Sequence, residues 1–133
     1  MIYSSSHLTG NKMALNANIS MVILNVNGLN APIKRHRVSE WIKKKSICCL
    51  QESHFRPEDT SRFKVRGWET IYYANGHQKK AGVVSLISDQ LDFKLKTIIR
   101  DEEGQYTILK GSVQQEDLTI LNIYAPTWEQ TTL

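Results

Sequence analysis

Two short apolar runs, set one helix length apart, constrain this chain more than any other feature. Residues 19–25 (ISMVILN) and Ile47–Gln51 (ICCLQ) show almost no alternation of polar and apolar side chains. A strand with one wet face alternates, whereas a strand covered on both faces does not. Between the runs lie Asn27-Gly28 and Asn30-Ala31-Pro32, which break the first strand. Asn30 is a helix-capping residue type, and proline suits a first helical turn. Val38, Trp41 and Ile42 then share one helical face, which predicts a helix from about residue 33 to about Lys45. Strand, helix and strand in this order predict a βαβ unit with its two strands parallel.

The rest of the chain is read as strands joined by turns. Apolar runs at 68–74, 82–88, 93–99, 105–113 and 118–124 are separated by Asn75-Gly76, Asp101-Glu102-Glu103-Gly104 and residues 114–117. Residues 53–66 form a long connector. Residues 1–17, rich in Ser and Asn and without periodicity, are read as a disordered leader, and residues 127–133 as an unrelated tail. The reading is therefore α/β: a mixed sheet with one βαβ unit followed by antiparallel hairpins, the ordered part covering 18–126.

At 133 residues the chain has a one-domain length, and 41% hydrophobic with 23% charged residues excludes a wholly disordered or collagen-like chain. No apolar run reaches the ~18 residues of a membrane span. Residues 1–18 lack a secretory apolar core. Cys48 and Cys49 are adjacent, a poor framework for a bridge, which fits a reducing, intracellular setting, nuclear or cytoplasmic. The net charge of +4 leans towards polyanionic partners. The basic residues cluster at Lys34-Arg35-His36-Arg37, at Lys43-Lys44-Lys45, and at Arg62, Lys64, Arg66, Lys79 and Lys80. Such a surface suits sequence-independent contacts to DNA phosphates, and it equally suits a solvated helix face. Trp68, Tyr72 and Tyr73 interleave with it, as core residues or as stacking platforms.

Three polar residues end strands. Asn25 closes the first run, Glu52 follows the second, and Tyr124 closes the last. Parallel strands put their carboxyl ends on one edge, where α/β sheets bind ligands. Glu52 is an oxygen ligand suited to Mg²⁺, Asn25 can orient or ligate, and Tyr124 can donate to a phosphate oxygen. Strands also end in polar residues simply because solvent begins there. His36, His54 and His77 have no metal-ligand spacing; His54 reads first as a surface loop residue, with the alternative that, two residues from Glu52, it reaches the same edge. The two cysteines read as inert core thiols.

The strings LNVNGLNAPIKRHRVSEWIKK, ICCLQESHF, ANGHQKKAGV and LTILNIYAP, in this order and spacing, resemble the amino-terminal half of the endonuclease domain of mammalian long interspersed retrotransposons. That domain belongs to the endonuclease/exonuclease/phosphatase superfamily, with apurinic endonucleases and DNase I. The resemblance implies a four-layered α/β sandwich and Mg²⁺-dependent nicking of DNA that primes reverse transcription. It implies that Asn25 of LNVNG is the active-site asparagine, Glu52 of LQE the metal-binding glutamate, and Tyr124 of NIYAP the tyrosine at the scissile phosphate.

The family continues after NIYAP with GDFN and SDH strings, which supply a water-activating aspartate and a histidine. Neither string occurs here, and residues 127–133 (TWEQTTL) match neither. The expectation is a truncated endonuclease domain, an incomplete sandwich that is inactive alone and binds Mg²⁺ weakly if at all. The alternative is a non-catalytic remnant or weak nucleic-acid-binding module. One further expectation follows: a sheet face left uncovered, with self-association through it.

Overall fold

In a computed structural model of the protein, residues 3–10, 19–76 and 81–125 are described. Their strands form two four-stranded sheets. The first is mixed. β2 (Met21–Asn25) and β3 (Ile47–Gln51) run parallel, joined by α1 (Pro32–Trp41). β4 (Thr70–Ala74) and β5 (Val83–Ile87) complete it antiparallel, in the order β2-β3-β5-β4. The second sheet is antiparallel throughout: β1 (Tyr3–Gly10), β6 (Lys94–Arg100), β7 (Tyr106–Val113) and β8 (Glu116–Ala125), in the order β1-β8-β7-β6.

The expected βαβ unit is present. Its helix ends earlier than the sequence suggested, with Ile42 as the C-cap residue. Ala31 is the N-cap residue and caps nothing with its side chain, while Pro32 starts the helix. The expected cap, Asn30, instead donates its amide to the His54 carbonyl at 3.2 Å. Val38 and Ile42, four residues apart, face the sheet with Leu29, whereas Trp41 is 60% exposed. These residues, with Cys48, Leu50, Val84 and Leu86, cover the outer face of the mixed sheet. Phe55, Phe63 and Trp68 from the 53–69 connector extend the same core, so Trp68 is not a stacking platform.

Two expectations are corrected here. The first concerns the uncovered face of the final strand. Strands β6, β7 and β8 leave the mixed sheet and make a second one, whose inner face closes on the first. Leu109, Val113, Leu118 and Ile120 pack against Ile47, Cys49 and Ile87 from the mixed sheet. That is why β8 is apolar on both faces. Its even-numbered residues meet the other sheet, and Leu121 and Ile123 lie half-buried on the outer side. On that outer side Ile99 pairs with Ile108 and Ile108 with Leu121, and Ile99 is 42% exposed.

The second correction concerns the leader. Tyr3–Gly10 is a strand, paired along its whole length with β8 from Tyr3↔Ala125 to Gly10↔Leu118. Edge pairing uses backbone N–H and C=O groups, so a run without side-chain periodicity can still join a sheet. The remaining leader residues 11–17, the turn residues 77–80 and the tail 127–133 lie outside the described residues. Among the described residues, no helix is long and apolar enough to cross a membrane.

Candidate active site

The site is built where β2 and β3 end. Their parallel pairing runs on past the strands. The Val26 N–H donates to the Gln51 carbonyl at 3.0 Å, Gly28 N–H to Glu52 at 2.7 Å and Leu29 N–H to Ser53 at 3.0 Å. The two loops therefore leave the sheet side by side, with Asn25 and Glu52 adjacent. Three residues here hold left-handed backbone without being glycine: Asn27 (φ 45°), Glu52 (φ 56°) and His54 (φ 58°). Such conformations cost on the order of 1–3 kcal/mol each and concentrate at functional sites. Glycine is required beside them. A Cβ on Gly28 would lie 2.9 Å from the His54 Nδ1, and one on Gly82 only 2.3 Å from the Ser53 Oγ.

The side chains converge on one carboxylate. The Asn25 Nδ2 donates to the Glu52 Oε2 at 2.5 Å, while the Asn25 Oδ1 accepts from the Asn27 N–H at 3.1 Å. The second bond fixes which end of the amide is which. The His54 Nε2 stands 3.6 Å from the Glu52 Oε1. Tyr124 reaches the same group from β8. Burial raises its phenol pKa above the usual value, and the neighbouring Glu52, as negative charge and as hydrogen-bond acceptor, raises it further. Tyr124 is thus held as a neutral donor. Glu52 itself is buried, at 8% exposure. The structure brings Asn25, Glu52 and Tyr124 together at one end of the sandwich.

His54 was missed as a site residue. Its side chain is only 17% exposed, against the surface loop position expected from sequence. Its Nε2 is buried and makes no hydrogen bond among the described residues. The only sequence signal was its spacing, two residues beyond Glu52, together with the glycine at position 28 that makes room for its ring. A cleft of about 660 Å³ opens beside it, lined in part by Asn27, Gly28, Asn30, Lys34 and Arg56.

The basic residues divide into two sets. Lys34 and Arg35 are turned inward as pins of the β2–α1 loop. The Lys34 Nζ donates to the Val26 and Asn27 carbonyls at 3.2 and 2.7 Å, and the Arg35 Nη1 to Leu29 and Asn30 at 3.0 and 2.8 Å. Lys43 pairs with Glu40 at 2.9 Å on the exposed helix face. His36, Arg37, Lys44 and Lys45 are exposed. Cys48 and Cys49 are buried and in no disulfide, and burial pushes the Cys48 thiol far up, which makes it an inert core group.

As a cation site the arrangement is sparse. Glu52 fits a Mg²⁺ ion as a single carboxylate, and the orphaned His54 nitrogen beside it can bond an ion's water or a phosphate oxygen. Asn25 does not fit as a co-ligand in this geometry, because it turns its N–H₂ to Glu52 and gives its oxygen to Asn27. Among the described residues, no group of three or more His, Cys, Asp or Glu could hold a metal.

The pairing of a mixed sheet with an antiparallel one, with polar residues gathered at one end, defines a two-sheet α/β protein with a site at the strand ends. No protein-family profile matches the chain. It is 24% identical over 111 residues to the "Transposon TX1 uncharacterized 149 kDa protein" of Xenopus laevis. The match takes in 82% of this chain and 8% of that protein, so the chain spans a small part of the relative.

Proposed function

We propose that this chain carries the amino-terminal part of a Mg²⁺-dependent DNA endonuclease domain of retrotransposon origin, with a DNase I-like sandwich. What supports the reading best is the convergence of Asn25 from β2 and Tyr124 from β8 on the Glu52 carboxylate, just past the end of β3. The transposon likeness agrees with it.

In this reading a Mg²⁺ ion, when bound, would supply charge neutralisation at the phosphate. Glu52 is the residue that would hold it. Asn25 fixes the carboxylate's orientation. Tyr124 keeps its proton and donates to a non-bridging phosphate oxygen, and the His54 nitrogen is placed to bond a second. The GDFN and SDH strings that supply the water-activating aspartate and the histidine in the resembled family do not occur in this sequence. Loss of a general base typically costs ~10²–10⁴-fold. These residues alone are proposed to bind DNA and Mg²⁺ weakly and to leave duplex DNA uncut.

The test is an amide NMR titration of the whole chain with MgCl₂, alongside a plasmid-nicking assay, for the parent and Glu52→Ala. Millimolar Mg²⁺ is expected to shift Asn25, Glu52 and His54 amides in the parent and not in the variant. Shifts confined to other regions, or identical in both proteins, would overturn the assignment. Nicking that depends on Glu52 would show that the chain needs no further groups.

A further inference from the structure

The facing sides of the two sheets change character along the strands. Away from the site the layer between them is apolar, built from Ile47, Ile87, Leu118 and Ile120. One step before the site it turns wholly polar. Gln51, Ser85, Thr107 and Asn122 are each 0% exposed. The Asn122 Nδ2 donates to the Val84 carbonyl at 3.1 Å and the Ser85 Oγ at 3.2 Å, and lies 3.5 Å from the Leu50 carbonyl. The Gln51 Nε2 donates to the Asn122 Oδ1 at 3.2 Å and the Ile123 carbonyl at 3.1 Å. Ser85 and Thr107 share a hydroxyl bond at 3.1 Å. Three of these bonds end on backbone carbonyls, those of Leu50, Val84 and Ile123, the others join side chains, and all of them cross from one sheet to the other.

This layer is an expensive way to fill a core. The Gln51 Oε1 is buried and has no hydrogen-bond partner among the described residues. An unpaired buried acceptor keeps its full desolvation penalty, whereas apolar side chains of the same shape carry none. Hydrogen bonds differ from apolar contacts in being directional, so they fix how one sheet sits on the other. The position of the layer gives that directionality a use. Gln51, the last residue of β3, directly precedes Glu52, and Asn122 precedes Tyr124 by two residues on the same face of β8. Each clamp residue therefore stands one or two residues before a site residue along the chain.

We infer that Gln51 and Asn122 are positioning residues, a cross-sheet clamp that sets the placement of Tyr124 against Glu52. The clamp rests on the proposal that these two side chains act together, but its test needs no cleavage. The chain is labelled with 3-fluorotyrosine, and the ¹⁹F line of Tyr124 is assigned by its loss in Tyr124→Phe. Glu52→Gln is then made in the parent and in a Gln51→Met/Asn122→Leu double variant. The double variant replaces both clamp partners with apolar groups of similar shape, which is the form of substitution most easily tolerated. If one of the two replacements prevents folding, Gln51→Met alone serves: it removes both Gln51 bonds to β8, and the Tyr124 response to Glu52→Gln is then expected to fall in part.

Glu52→Gln is expected to move the Tyr124 line in the parent and to leave it within its linewidth in the clamp variant, with far-UV circular dichroism unchanged. A Tyr124 line that responds equally in both backgrounds overturns the clamp while leaving the site intact. A line that responds in neither overturns the contact between Tyr124 and Glu52, and the clamp with it.

Discussion

Replacing Leu109 with alanine measures whether the two sheets close on each other. Leu109 is 0% exposed on the inner face of β7, among Ile47, Cys49 and Ile120. Removing a buried leucine forfeits its transfer free energy and leaves a cavity that the walls fill only in part. The cost in such series is ~3–5 kcal/mol. Against a domain stability of ~5–15 kcal/mol this is a large fraction. For a chain of this size each kcal/mol is worth about 4 °C in Tm, so Leu109→Ala is expected to melt ~12 °C or more below the parent. Ile99 supplies the control. It lies on the outer side of the same sheet, 42% exposed, and its truncation is expected to cost about 1 kcal/mol, or ~4 °C. Thermal melts followed by circular dichroism, with urea midpoints at constant m, read both. Equal shifts in the two variants, or a larger one for Ile99→Ala, would refute the two-sheet core.

Four further outcomes follow. Glu52→Gln is expected to lower the Tyr124 phenol pKa while leaving it above its usual value, because burial, the largest cause of the shift, stays; ultraviolet titration against Tyr124→Phe checks this. Asp59 is held below the usual carboxylate range chiefly by its hydrogen bond from the Arg56 side chain, so its contribution is full above the unfolded value of ~3.9 and is lost as pH falls through the lowered one. Asp59→Asn should therefore melt below the parent at pH 7, with the gap closing as acidification passes below the lowered value. The β7–β8 turn places Gln114 and Gln115 at φ 52° and 68°, so Asn-Gly there is expected to recover ~1–2 kcal/mol, read as a higher Tm. Affinity for duplex DNA should fall steeply between 50 and 200 mM salt whatever the sequence; a flat profile in fluorescence anisotropy would exclude phosphate contacts as its source.

The βαβ unit was legible because its strands lack alternation and its breakers are unambiguous. The hairpin strands were legible too, within one or two residues at most ends. What the sequence did not reveal was the partition of those strands between two sheets. Hydrophobic pattern tells that β8 is covered on both faces, and it does not tell by what. Trp41 was placed on the buried face because its spacing from Val38 permits it; the sheet beneath α1 reaches only the side carrying Val38 and Ile42. At the site, Asn25, Glu52 and Tyr124 could be found as strand ends. His54 could not, because its burial depends on two left-handed residues and on the glycine at position 28, none of which carries a distinctive pattern. Gln51 and Asn122 were hidden for a similar reason: a polar residue in an apolar strand means little until its partner across the core is known.

The pairing of β1 with β8 also bears on when the protein can fold. Their partners, from Gly10↔Leu118 to Tyr3↔Ala125, stand more than a hundred residues apart along the chain. β2 and β3, by contrast, meet across a single helix. At ~5–20 residues per second a ribosome needs several seconds to deliver β8 after β1 has emerged. During that interval β1 has no neighbour, and the parallel pair with its helix can already assemble. β1, made before every other strand described here, is therefore among the last of them to be placed, and the exposed lifetime of its unpaired backbone is set by the rate of translation.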